Sequence, residues 1–397
     1  MSKRKALVIN IGWEQEPLVN SLFEHGYEVY AVHYNDQYDR SFSFKEVFIS
    51  ELRDLSKILA FAKRIQPDIV ISDQCDYSHF AQAVISEALS LPGPTIKQAQ
   101  VSSNKYIQRS ISKETGIRIP DFKLAQCIDD VKSFIAQVGL PVILKPVDNR
   151  GSFGVVKIES ENEILSAYIT SLCNSHSRLI LAEKFIEGFE ITVDGYCFNK
   201  VPTSLSLAKK GKGDPKVQVS LDIKYPGELP VDLYAKAMRN NEEVTSKLGY
   251  TFGMTHSEYI VHPSGDIYLV ESANRGGGVF TSEIIVPNVS GIDILHAYIN
   301  DVSGNTLFPF PGKIENNDVI LKFFSFKPGK IKSIKGIEEV MSDKDVLKFR
   351  LSVKDGDIIH PIENDANRHG FIIAKSNDSV RQKAQSLINK IEVIYES

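Results

Sequence analysis

Three groups of residues in this chain have the types and spacing for phosphate chemistry. Lys145 closes the apolar run PVILKPV, and Gly151, Ser152 and Gly154 follow within ten residues in the loop DNRGSFGVVKI. Small residues let backbone N–H groups approach phosphate oxygens, and a lysine ammonium supplies a point charge for them. Because the loop returns to a strand, it is a hairpin flap; a P-loop opens a helix instead. In the second group, LILAEKFIEGFEITVDGY, an apolar strand runs into Glu183-Lys184-Phe185-Ile186. That edge offers peptide groups, apolar contacts and a polar side chain suited to an adenine ring, while Glu190 could accept hydrogen bonds from ribose hydroxyls. The third group pairs Glu258 in HSEYIV with Glu271 in YLVESANRGGG. If these strands pair across Pro263-Ser264-Gly265, the two carboxylates approach each other, which is costly unless a cation lies between them. Oxygen-only ligands favour Mg²⁺ shared with phosphate. Asn274 would add an amide oxygen, and Arg275, beside Gly276, Gly277 and Gly278, could reach an anion. Each group alone also reads more plainly, as turn glycines beside an exposed lysine, solvated hairpin acids, or glutamates on opposite sheet faces.

The elements that must position these residues begin with a βαβ unit. Residues 6 to 34 read as a strand (ALVINI), a turn at Gly12, a helix through Leu18, Leu22 and Phe23, and a second strand (YEVYAVHY), which implies a parallel sheet. A helix over 53 to 66 stops at Pro67, the strand DIVIS follows, and a helix over 77 to 90 breaks at Leu91-Pro92-Gly93-Pro94. Gly12 stands alone where a dinucleotide site requires G-x-G-x-x-G, so a nicotinamide site is not expected there. The pattern predicts one helix from Val101 to Ile119, with Lys105 in its first turns and Gly116 near its end. Further helices are expected over 128 to 138 and 230 to 248. After Asn305, short β-patterns with Pro and Gly lead to an amphipathic helix over 378 to 391.

With 397 residues the chain is long enough for two to three domains. Its 42% hydrophobic and 24% charged residues are ordinary for a globular protein. A net charge of −4 without long single-sign blocks excludes a broad footprint for nucleic acid or anionic membrane. The four cysteines (Cys75, Cys127, Cys173, Cys197) are scattered, with neither C-x-x-C spacing nor a histidine pair, and read as reduced thiols. The run from Ala6 to Ile11 is too short for a signal-peptide core, and no stretch reaches the roughly 20 apolar residues of a membrane span. A cytoplasmic protein is the expectation. The basic segment AKKGKGDPKVQVSLDIKYP, over about 208 to 226 with Lys209, Lys210, Lys212 and Lys216, reads either as a mobile loop attracting an anionic substrate or as a solvated loop.

The succession of a helix lysine, a strand lysine with a glycine flap, the E-K-F-I hinge, Glu190, and the E…E-x-x-N-R ending resembles the ATP-grasp superfamily, particularly its carboxylate–amine ligases of the L-amino-acid-ligase and carbamoyl-phosphate-synthase-like branch. The likeness runs from about Ala6 to Val393. It implies an α/β protein, α+β in its catalytic part, with a Rossmann-like pre-ATP-grasp domain (1–95), an ATP-grasp domain (96–310, flap and hinge about 140–200) and a small β-rich C-terminal module (311–397). By this resemblance Lys105 and Lys145 would contact the phosphates of ATP, with Asn149, Gly151, Ser152 and Gly154 closing over them. Glu183, Lys184, Phe185 and Ile186 would frame adenine, and Glu190 would hold ribose. Glu258 and Glu271 would hold Mg²⁺, with Mn²⁺ as a substitute, and Arg275 would stabilise the transferring phosphoryl group. The order Glu271-Ser272-Ala273-Asn274-Arg275 departs from the usual E-x-N-x-R and puts the metal role of Asn274 in doubt. The segment RHGFIIAKSNDSVRQKAQSLINKI is similar to the closing module of that branch, which packs beside the substrate site. The implied substrates are a small carboxylate and an amine, and a homodimer is left open. A carboxylase or carbamoyl-type enzyme using bicarbonate, and a nucleotide-binding protein without turnover, are the alternatives.

Overall fold

The structure, a computed structural model, describes residues 3–212, 219–305 and 318–396, with the side chain of Lys212 left aside. The first part contains β1 (Lys5–Ile9), α1 (Glu16–Glu24), β2 (Glu28–His33), β3 (Glu46–Ile49), α2 (Leu55–Ile65), β4 (Ile69–Ile71) and α3 (Asp76–Ala88). Its strands form a parallel sheet of order β3-β2-β1-β4. Ala6 to Ile9 are fully buried, as expected for a strand with helices on both faces. Strand addition reverses direction at β1 and β4, so the crevice beyond their carboxyl ends is where such a sheet takes a ligand. Strand β3, short and only half-buried, was not evident from the sequence.

The single helix expected over 101 to 119 is two, α4 (Ile96–Ser102) and α5 (Lys105–Thr115). Asn104 breaks it. Its backbone is extended, and its side-chain oxygen accepts the N–H groups of Tyr106 and Ile107 at 3.0 and 3.1 Å, capping α5. Lys105 thus opens α5, which ends at Gly116 with φ +72°. Next come β5 (Phe122–Ala125), α6 (Ile128–Val138), β6 (Val142–Pro146), β7 (Val156–Ile158), α7 (Ile164–Cys173) and β8 (Ile180–Lys184), in an antiparallel sheet of order β5-β8-β6-β7. Val131, Phe134 and Ala167 on the two helices bury against Leu144, Ile158 and Ile180. The flap is the connection from β6 to β7.

The third part contains β9 (Phe189–Phe198), β10 (Val201–Lys212), β11 (Ser220–Tyr225), α8 (Val231–Lys247), β12 (Gly253–Val261), β13 (Ile267–Ala273), α9 (Val286–Ser290) and α10 (Ile294–Val302). Beyond residue 317 lie β14 (Asp318–Phe323), β15 (Gly329–Lys335), α11 (Ile337–Met341), β16 (Val346–Leu351), β17 (Ile358–Ile359), β18 (Gly370–Ser376), α12 (Val380–Ile388) and β19 (Glu392–Tyr395). One antiparallel sheet of order β13-β12-β9-β10-β11-β14-β18-β16 runs through both stretches, and β17-β15-β19 form a small sheet beside it. The expected mobile loop over 208 to 226 is largely the hairpin β10–β11, laddered from Lys209↔Lys224 to Lys212↔Ser220. Strand alternation puts Lys209 over the Phe189 ring at 4.6 Å and sends Lys210 to the opposite face. Lys216 lies outside the described residues.

Candidate active site

A cleft of about 620 Å³ is enclosed by the flap-bearing sheet, the long sheet and the loops at the carboxyl ends of β1 and β4. Lys105, Lys145, Asn149, Gly151, Ser152, Glu183 to Ile186, Glu190, Glu258, Glu271 and Arg275 all line it. Gly154 and Asn274 do not. Gly154 has φ +73°, and a Cβ there would stand 2.7 Å from the Asn174 Cβ and 3.0 Å from the Pro146 Cγ, so this glycine anchors the return of the flap. Asn274, expected beside the metal, turns inward: its amide donates to the carbonyls of Phe252 and Met254 at 2.8 and 3.0 Å. Ala273 occupies the position where the usual E-x-N-x-R has its asparagine, and Asn274, one residue further on, takes the opposite face.

Lys145, at the root of the flap, meets Glu183 Oε2 at 2.7 Å, and Arg109 Nε meets Glu183 Oε1 at 2.6 Å. All three side chains are nearly fully buried. The Glu183 carboxylate is therefore a structural anion between two cations, while its neighbours form the apolar edge of the cleft. Burial alone would raise its pKa, but Arg109 and then Lys145 hold it below the usual carboxylate value. Burial pulls the Lys145 ammonium below the usual lysine value despite Glu183. The hinge is fixed by its backbone: Lys184 N–H donates to Asp121 and Phe185 N–H to Pro141, at 2.9 and 3.2 Å. The Lys184 ammonium turns to the carbonyls of Gly139 and Leu140, and Lys157 lies 4.3 Å from the Phe185 ring centroid.

Glu258 on β12 and Glu271 on β13 are directly opposed in register. Tyr259 pairs with Leu269, leaving Val270 as an extra residue in β13. This bulge lets Leu269 face the core and Glu271 the cleft, although two residues apart on a regular strand share a face. Each glutamate already meets a cation: Lys210 Nζ lies 2.5 Å from Glu258 Oε1, and Lys105 Nζ lies 2.7 Å from Glu271 Oε2. Although burial opposes ionisation, Lys210 and His256 hold Glu258 well below the usual range. His256 in turn meets Asp194 at 2.7 Å, which overrides burial and pushes its pKa up to about 9. Two carboxylates on one face of the cleft, both in contact with ammonium groups, suit a divalent cation. Among the described residues no group of three or more His, Cys, Asp or Glu could hold one alone. The remaining ligands would be water and phosphate, the combination Mg²⁺ favours.

Arg275 is 2.6 Å from Asp76 at the start of α3. Against the opposing effect of burial, the guanidinium draws Asp76 down to about 2. Sequence reasoning placed Lys210 only in a basic segment, without its partner Glu258, and missed Asp76 and Arg109, together with Trp13, Glu14 and Gln74, which line the cleft from the ends of β1 and β4. The βαβ pattern held a usable signal for the last three, since ligands gather at the carboxyl ends of strands where their order reverses. Burial raises the pKa of Glu14, whose carboxylate accepts the Val279 N–H at 3.3 Å.

The ATP-grasp domain family matches residues 138–283, from the hinge-supporting turn to just past Arg275, and the family L-amino acid ligase C-terminal domain 2 matches residues 322–396. Residues 138–283 thus match an ATP-grasp domain, and the chain is similar to carboxylate–amine ligases. The chain is 24% identical over 326 residues to the L-arginine-specific L-amino acid ligase of Bacillus subtilis, covering 78% of the chain and 76% of that protein. It is 27% identical over 206 residues to D-alanine–D-alanine ligase B of Chromobacterium violaceum, which spans 51% of the chain but only 66% of that protein's length. Its fold resembles the crystal structure of L-amino acid ligase from Bacillus licheniformis, with a TM-score of 0.84, 21% identity and full coverage of both chains.

Proposed function

We propose that this ATP-grasp protein joins a small carboxylate to an amine, forming an amide or peptide bond through an acyl phosphate and releasing ADP and phosphate. The observation that carries this reading is the convergence of Lys105, Lys145, Arg275 and the opposed pair Glu258 and Glu271 on one cleft. Mg·ATP, when bound, supplies the phosphoryl group that turns a carboxylate into an electrophile. Phe185 and Ile186 provide the apolar edge for adenine, and Glu190 the acceptor for ribose. Lys105 and Lys145 would neutralise phosphate charge, and Glu258 and Glu271 would hold Mg²⁺. Arg275, oriented by Asp76, would stabilise the charge that builds during transfer. The flap over 149 to 154 excludes water that would hydrolyse the acyl phosphate. The L-amino-acid-ligase C-terminal domain and the ligases among the relatives support amino acids as substrates.

Panels of carboxylic acids and amines, scored for substrate-dependent nucleotide products, test the reading. ADP and phosphate in equal amounts with each amide are expected; stoichiometric AMP, or labelled bicarbonate carbon in the product, would replace it. Arg275→Ala should lower turnover by about 10²-fold or more, with a smaller effect on ATP affinity.

A further inference from the structure

Arg368 lies on the C-terminal stretch, two residues before β18, and lines the cleft. Its side chain is only 12% exposed, and the guanidinium lies over the Phe323 ring, 3.6 Å from the centroid. Nη2 donates to the Ser220 carbonyl at 2.8 Å and meets Asp365 Oδ1 at 2.9 Å. The Nε–H is buried and has no partner among the described residues. A buried charged donor without an acceptor carries a desolvation penalty that no contact within the protein offsets. Phe323 fixes the plane of the group, so it cannot rotate freely to recover one.

The surroundings indicate what the missing acceptor is. The same loop touches the flap, with Asp365 N–H 3.4 Å from the Gly151 carbonyl. Arg368 lines the same cleft as Glu258 and feels the charge of that carboxylate. Asp365 offsets only part of the guanidinium charge, because Lys210 also acts on that carboxylate. A neutral acceptor would satisfy the N–H, but a planar guanidinium held on an aromatic face beside a closing flap is suited to an oxyanion.

We propose that Arg368 is an oxyanion-binding residue that the C-terminal stretch contributes to the cleft, and that it takes the carboxylate that is to be activated. The inference rests on the ligase reading above. It adds a residue that chooses among substrates, since an acid whose carboxylate cannot reach Arg368 is disfavoured while ATP binding is unaffected.

Two measurements test it. The chain contains a single tryptophan, Trp13, which stacks on Phe371 at 5.6 Å in the same part of the cleft and serves as a reporter. Inorganic phosphate titrated into the Mg·ADP-loaded protein should quench or enhance Trp13 fluorescence, with an apparent Kd about tenfold or more higher in Arg368→Ala. With an active acid–amine pair, the same variant should raise the KM of the acid by about tenfold or more, leave Mg·ATP affinity unchanged, and regain part of the loss with added guanidinium. A fall in Mg·ATP affinity with an unchanged KM for the acid would assign the oxyanion to the nucleotide and overturn the substrate role. Unchanged phosphate affinity and unchanged KM, with only a lower Tm, would make Arg368 structural and overturn the proposal. So would a wild-type protein indifferent to phosphate. Failure to find any ADP-releasing pair would instead count against the ligase reading, and the phosphate titration still decides the role of Arg368.

Discussion

Glu183 faces two buried cations, and the arithmetic of charge in a low-dielectric interior follows directly. Removing its carboxylate leaves Arg109 and Lys145 uncompensated, so Glu183→Ala should cost about 3–5 kcal/mol of stability in urea unfolding. A loss below about 1 kcal/mol would mean that water reaches the pair. The pair of Asp76 with Arg275 makes a prediction about pH. Its folded pKa of about 2 lies below the ordinary 3.8, so its contribution is fully present above about pH 4 and is lost as pH falls through about 2. That shift corresponds to about 2 kcal/mol at neutral pH. Stability curves from pH 7 to 2 should therefore be flatter for Asp76→Asn than for the parent; parallel curves would refute the assignment. Of these residues the sequence showed only those whose meaning is local. Lys145 is read with its own flap, and Glu258 and Glu271 with their own hairpin. Arg109 meets Glu183 across 74 positions and Asp76 meets Arg275 across 199, and no local spacing encodes such partners.

Among the elements, the flap is the part whose sequence and geometry can be tested most directly. Gly154 sits at a positive φ with no room for a methyl group between Asn174 and Pro146. Gly154→Ala should therefore displace the flap and weaken Mg·ATP binding by about tenfold or more, with a change in global Tm of only a few degrees. Calorimetry showing unaltered nucleotide affinity would remove the flap from the site. The strand and helix pattern was legible wherever periodicity dominated, as in the paired strands around Pro263 and the helix that ends before Pro67. It failed at two kinds of place. Asn104 divides a continuous helical pattern because a side-chain cap outcompetes one more turn. The extra Val270 reverses the face of Glu271, and alternation counted from Leu269 would have buried that carboxylate.

At the scale of the whole molecule, the long sheet joins strands β9 to β13 to the strands of the C-terminal stretch, so Phe371 on β18, and Arg368 two residues before that strand, reach the cleft. The parallel sheet was legible from its βαβ pattern; this continuity was not, because β11 pairs with β14 across residues far apart in the chain. Among the described residues no helix is long and apolar enough to cross a membrane. Lys105 and Lys210 are engaged with Glu271 and Glu258, the same carboxylates proposed to take Mg²⁺. A metal arriving alone must displace ammonium groups that then have no counter-charge, and a nucleotide arriving alone must draw lysines away from bare carboxylates. Arriving together, each takes the partner the other releases, so their affinities are thermodynamically linked and the linkage is reciprocal. Calorimetry, corrected for the complex formed in solution, should show Mg²⁺ binding about tenfold or more tighter with ADP present than without. In Lys210→Met that factor should shrink, because one carboxylate no longer waits for an exchange; an undiminished factor would show that Lys210 keeps its partner throughout.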